Sequence, residues 1–128
     1  VHIPRENALI MNTKLLGKWG EEQAANYLRS KKYEIISAGY RTRYGEIDLI
    51  AKKKNMIVFV EVKLRKNGNF APTMEFVDGH KQRRLRTTAE IWLGERELDC
   101  LCRFDVVEVY APKGERGPVR INHIENAF

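Results

Sequence analysis

The stretch that most constrains this chain runs from Arg41 to Lys63. It contains two strand-like runs around a short polar turn at Lys53, Lys54 and Asn55. The second run, Met56 to Val62, is β-branched and apolar except for Glu61, and Lys63 follows at once. The turn is too short for anything but an antiparallel hairpin. Pairing Lys53 with Met56 and extending outward sets Asp48 opposite Glu61 and Glu46 opposite Lys63. Two opposed carboxylates would stand about 5 Å apart at Cβ and repel. A sheet this apolar screens that repulsion poorly, so a cation is expected between them.

That cation is either Lys63, two residues from Glu61 and on its face, or a divalent metal. Mg²⁺ takes oxygen ligands, needs only one or two carboxylates and keeps its waters. Asp48 and Glu61 are therefore the expected ligands of Mg²⁺ or Mn²⁺. Ile57 and Phe59 share the Glu61 face and Val58, Val60 and Val62 line the other, so both faces of this strand are expected to be covered. Charges at the end of a covered strand lie where α/β sites form. The chemistry that fits is phosphodiester hydrolysis, with Lys63 beside the attacking water.

Around the hairpin the periodicity predicts a helix over 12–31, strands over 33–43, 46–52 and 56–65, a loop over 66–78, a helix over 79–93, and strands over 102–111 and 119–124. Gly39 is a candidate bulge and Asp78 a candidate N-cap. The order αβββαββ implies a three-layer α/β domain with a mixed central sheet. In the first helix Glu21 borders the buried face, while Glu22 points elsewhere. In the second, Gln82 falls within the apolar stripe and Arg83 and Arg84 point away. The basic first turn, Lys81 to Arg86, opposes the helix dipole, a small cost that hints at another role. In the strand after it, Phe104, Val106 and Glu108 face one way and Asp105, Val107 and Val109 the other.

With 128 residues the chain is long enough for one domain with a core, and 43% hydrophobic and 31% charged residues exclude a disordered chain. Residues 12–128 are read as that domain, and 1–11 as a loosely ordered N-terminal extension, Met11 being the more natural start. The net charge of +6 is compatible with an anionic partner. Cys100 and Cys102 are too close in sequence for an unstrained bridge and are expected to be reduced. No run is long and apolar enough for a membrane helix and no signal-peptide core is evident, so a cytoplasmic location is expected.

The chain also resembles a known group. Gly20, Glu21, Glu22, Ala25, Tyr27 and Leu28, then RYGEIDLIA, FVEVKLR, KQRRL and RFDVV, resemble the YraN-type family of small bacterial proteins. That family has no firmly assigned function and is predicted to be endonuclease-like and distantly similar to archaeal Holliday junction resolvases. Asp48 followed by Glu61, Val62 and Lys63 on the next strand resembles the PD-(D/E)xK nuclease core. The proline that often precedes the first aspartate there is replaced by Ile47. The resemblance implies a restriction-endonuclease-like fold. It also implies a catalytic set of Asp48, Glu61 and Lys63 with Glu21 and Gln82 nearby, and DNA, including branched DNA, as substrate. Contacts to the nucleic acid would come from Arg41, Arg43, Lys81, Arg83 and Arg84. A homodimer follows by analogy with the resolvases. The alternative is a non-catalytic nucleic-acid-binding protein on the same fold.

Overall fold

The structure is a computed structural model that describes the backbone of residues 5–65 and 78–128, and the side chains of 16–65 and 78–128. The elements follow the expected order: α1 (Arg5–Ser30), β1 (Glu34–Thr42), β2 (Gly45–Lys53), β3 (Met56–Arg65), α2 (Gly79–Glu95), β4 (Leu101–Tyr110) and β5 (Arg120–Ile124), with a short 3₁₀ turn at Gly114–Arg116. The first helix begins at Arg5 rather than at residue 12, so a proline at position 4 and the charges after it precede or enter a helix instead of excluding one. The predicted loop around Asn67, Gly68, Asn69 and Pro72 lies outside the described residues.

The five strands form one sheet in sequential order, β1-β2-β3-β4-β5. All steps are antiparallel except β3 to β4, which is parallel and crosses over through α2. This explains why β3 is apolar on both faces: a strand beside a parallel neighbour has helices above and below it. On one face Ala24, Ala25 and Leu28 of α1 pack on Leu49, Ala51, Val58, Val60, Val107 and Val109. On the other, Leu85, Ala89 and Trp92 of α2 cover Ile47, Ile50, Ile57, Phe59 and Val106. Trp92 meets Phe59 edge to face, with ring centroids 5.9 Å apart.

Asp78 caps α2 as expected: its side chain accepts the Lys81 N–H at 2.8 Å, an interaction worth about 1 kcal/mol. The bulge in β1 falls between Ile35 and Ser37, not at Gly39. Gly39 stays in register but has φ +69°, a conformation glycine adopts without penalty.

Candidate active site

The hairpin register is the predicted one, from Lys53–Met56 to Leu49–Val60. There the ladder stops. β2 goes on pairing with β1 as far as Gly45, and β3 goes on pairing with β4 as far as Arg65. The two strands part at the level of Asp48 and Glu61, and the site lies in this fork. Ile47 and Ile50 both pack on the α2 side while Leu49 faces α1, so strict alternation is lost across Asp48. The expected flat, same-face opposition of Asp48 and Glu61 is thereby corrected. Asp48 instead turns toward the edge of β3, where Oδ2 accepts the Val62 N–H at 2.8 Å. The parting of the strands leaves that N–H without a ladder partner on β2, and the carboxylate takes the place of the missing carbonyl.

Glu61 is 8% exposed on the α2 side. Its Oε1 accepts Lys81 Nζ at 2.5 Å and stands 3.4 Å from Lys63 Nζ. Asp48 has no cation within ion-pair distance among the described residues. Burial first, and then the Glu61 charge, push its carboxyl from 3.8 up to about 7, with the Val62 N–H opposing them. Glu21, half-buried on α1, completes the cluster. Its carboxyl is raised by burial and by the nearby Glu46 charge, and a hydrogen bond with Asp48 pulls it back. Lys63 is held below the usual ammonium range, mainly by burial, against the pull of Glu61. Lys81 goes the other way: burial lowers it, but its hydrogen bond and charge interaction with Glu61 outweigh that.

A cavity of about 350 Å³ opens here, lined by Gly45, Glu46, Asp48, Glu61, Lys81 and Arg84 among others. Its position, beyond the carboxyl ends of parallel strands, is the usual one for an α/β site. Among the described residues no group of three or more His, Cys, Asp or Glu is placed to enclose a metal. The donors that could hold one are the Asp48 and Glu61 carboxylates. Such a pair fits Mg²⁺, which completes its octahedron with waters. The uncompensated charge of Asp48 fits a cation better than it fits an empty fork.

The structure thus brings Asp48, Glu61, Lys63 and Glu21 together. Gln82 is half-buried, and its N–H closes the first turn of α2 on the Asp78 carbonyl at 2.9 Å. Its neighbour Lys81 is the α2 residue that reaches the carboxylates. Lys81, expected among the outer phosphate contacts, therefore sits inside the site. Arg84 does not point away: its Nε donates to the Tyr44 carbonyl at 2.8 Å and its side chain lines the cavity. Arg83 is exposed. Arg41 pairs with Glu46 at 3.1 Å, and Arg43 lies over the Tyr44 ring at 5.1 Å. The depth to which a lysine side chain reaches is invisible to helical periodicity. The one available signal was its place three residues after the Asp78 cap.

Sequence reasoning missed a second ionic cluster altogether. Asp105, fully buried, accepts Arg103 Nε and Nη2 at 2.8 Å each, pairs with His123 Nε2 at 2.7 Å and accepts the Asn126 N–H at 3.0 Å. Arg103 also donates to the Tyr33 hydroxyl at 2.7 Å, and Tyr27 meets His123 Nδ1 at 3.3 Å. This network ties α1 and the turn before β1 to β4 and β5.

Fold and site together define an α/β domain with a carboxylate and lysine cluster where its central strands diverge. The chain belongs to the uncharacterised protein family UPF0102, whose profile matches residues 20–109. It is 42% identical over 119 residues to a UPF0102 protein of Caldanaerobacter subterraneus subsp. tengcongensis, covering 92% of this chain and 98% of that one. UPF0102 proteins of Caldicellulosiruptor saccharolyticus and Clostridioides difficile are each 43% identical over 119 residues, covering 92% of this chain and all of theirs. The family expected from the sequence motifs is thus the one found. Among the described residues no helix is long and apolar enough to cross a membrane.

Proposed function

We propose that this protein is a Mg²⁺- or Mn²⁺-dependent endonuclease that hydrolyses phosphodiester bonds in DNA, branched DNA included. The observation that carries this reading is the Asp48 carboxylate, half-buried beside Glu61 and Glu21, raised to about 7 and without an ion-pair partner among the described residues. A divalent ion held by Asp48 and Glu61 would supply the Lewis acid for the phosphate oxygen. Lys63, held below the usual ammonium range by burial and standing 3.4 Å from Glu61 Oε1, would take the proton from the attacking water. The water oxygen bonds to phosphorus as the phosphodiester's leaving oxygen departs. Lys81, fixed as a cation by Glu61, offsets the negative charge gathering on the phosphate. Arg84 in the cavity wall and the exposed Arg43 provide sequence-independent phosphate contacts.

One observation favours a second reading. Glu61 is already neutralised by two lysines, so part of the site is balanced without metal. A non-catalytic nucleic-acid-binding protein would keep that arrangement. Incubating pure protein with plasmid, branched and single-stranded DNA under Mg²⁺ or Mn²⁺ separates the two. The endonuclease reading expects cleavage that disappears in Asp48→Ala and Glu61→Ala. Salt-dependent binding that survives both substitutions, with no cleavage under either metal, selects the binding protein.

A further inference from the structure

We infer that the cavity at the turn end of the β2–β3 hairpin binds a nucleotide, with its phosphate on Lys53 and Lys54 and its base over Met56 and Leu101. The cavity is independent of the endonuclease reading, because it lies at the opposite end of the sheet from the fork. At about 3.3 Å of rise per residue, Lys53 stands roughly 17 Å from Asp48 along β2. It also opens on the other face. Lys53 alternates with Ala51, and Arg103 is the register partner of Val58, and both Ala51 and Val58 pack on the α1 side. The volume is about 450 Å³, within the usual range of small-molecule sites. Three strands build its floor: Met56 is the register partner of both Lys53 and Leu101, so one row runs lysine, methionine, leucine.

The polar wall is fixed from below. The fully buried Asp105 accepts two N–H bonds of Arg103, and the hydroxyl of the buried Tyr33 accepts a third. The Nη1 edge stands 3.6 Å from Glu125, whose side chain is 60% exposed. So long and exposed a pair is worth little, and an incoming anion displaces it at small cost. Lys53 Nζ lies over the Tyr33 ring, 4.7 Å from its centre. Lys54 holds φ +55°, a left-handed conformation that Gly or Asn adopts more easily, so lysine there serves its charge rather than the turn. Among the described residues neither lysine has a carboxylate within ion-pair distance. Beside them Met56 is half-buried and Leu101 is 71% exposed. The cavity therefore asks for an anion on one side and a flat apolar surface on the other. Inorganic phosphate meets only the first demand and leaves most of the volume open. A lipid chain needs a longer apolar channel than two side chains supply. A nucleotide meets both: its ring covers Met56 and Leu101, and Asn55 and Glu125 at the wall offer an amide and a carboxylate to the ring's polar edge.

The test is calorimetric titration of the full chain in chelator, with adenosine monophosphate, adenosine, inorganic phosphate and a short 5′-phosphorylated DNA strand as probes. Adenosine monophosphate is expected to bind about tenfold more tightly than adenosine or inorganic phosphate, because each of those keeps only half of the contacts. The double variant Lys53→Gln, Lys54→Gln changes two positions outside the core and should weaken nucleotide binding about tenfold. Leu101→Ser should weaken it about threefold through lost apolar contact. Asp48→Asn should bind the nucleotide as wild type does. On saturation, amide resonances of Asn55, Met56 and Leu101 should shift and those of Asp48 and Val62 should not. A phosphorylated strand that binds more tightly than the mononucleotide makes a strand end the ligand, and one that binds less tightly makes it the free nucleotide; either supports the site. Inorganic phosphate that binds as tightly as adenosine monophosphate overturns the assignment, as does nucleotide affinity unchanged in the lysine double variant or absent from wild type. Failure of DNA cleavage at the fork would overturn the endonuclease reading and leave this site standing.

Discussion

Replacing Asp48 with Asn tests the electrostatic logic of the fork without needing a substrate. Asn is isosteric, and its side-chain oxygen can still accept the Val62 N–H. What it removes is the buried charge. The Asp48 carboxyl is raised from 3.8 to about 7 in the folded protein. The folded state therefore holds the proton more tightly than the unfolded chain does. The stability this brings is complete below pH 3.8 and is lost as pH rises through about 7. At about 1.4 kcal/mol per pH unit the full cost of ionising Asp48 at pH 8 is about 4.5 kcal/mol, and partial exposure reduces this to about 2. About three-fifths of that cost arises above pH 5, so in metal-free buffer the gain of Asp48→Asn over wild type should be about 1.3 kcal/mol greater at pH 8 than at pH 5. For a chain of this size that corresponds to roughly 5 °C in Tm. Thermal melts followed by circular dichroism in chelator at the two pH values measure it. Adding 10 mM Mg²⁺ at pH 8 should close the gap from the wild-type side only, about as far as binding to the ionised carboxylates allows. An Asn variant that differs from wild type by the same amount at both pH values would refute the reasoning, because Asp48 would then be carrying no uncompensated charge.

Two further outcomes follow from the same geometry. Lys81→Met frees Glu61 Oε1 from its shorter ion pair, so Mg²⁺ affinity measured by calorimetry should rise several-fold while DNA affinity falls; unchanged Mg²⁺ affinity would mean that Lys81 does not compete for the carboxylate. Asp105→Ala strands Arg103 and His123 in the interior and should cost about 3–5 kcal/mol in urea unfolding at pH 7. Burial raises the Asp105 carboxyl, but the hydrogen bonds from His123 and Arg103 bring it below its ordinary value of 3.8. Its contribution is therefore complete above that pH and is lost as pH falls further, so the acid limb of the wild-type stability profile should be shallower in Asp105→Asn.

How far the sequence reached depended on how local the cause was. The β2–β3 register was legible because a short polar turn and period-two alternation fix it within one hairpin. The two faces of β4 were legible for the same reason: Phe104 and Val106 belong to one core and Val107 and Val109 to the other. The start of α1 was not, because helix propensity at a chain end is weak and patterning there is sparse. Nor was the fork. Alternation predicts a flat ladder past Asp48, and nothing within β2 or β3 announces that each strand prefers its outer neighbour from that residue on. The site itself was half legible. Asp48, Glu61 and Lys63 sit on consecutive strands, whereas Lys81 enters through the packing of α2, which pairwise spacing along the chain does not encode. The Asp105 cluster joins residues from α1, the turn before β1, β4 and the end of β5, and each of them alone reads as an ordinary polar residue.

The single parallel step in the sheet also sets the order in which the molecule can assemble. β1, β2 and β3 are joined by short connections and can zip as a local meander, at little loop-closure cost. β4 must wait for the long crossover through α2 before Val60 can meet Asp105 and Glu61 can meet Val106. Asp48, Glu61 and Lys63 therefore come together early, in a half-built sheet open to water that screens their charges. Lys81 and the buried Glu108 arrive with the slow step. Closure of the crossover is thus the event that both completes the core and desolvates the carboxylates. Substitutions in the β3–β4 seam should slow folding and empty the site in a single stroke, while those confined to the β2–β3 turn should leave the rate of that closing step nearly unchanged.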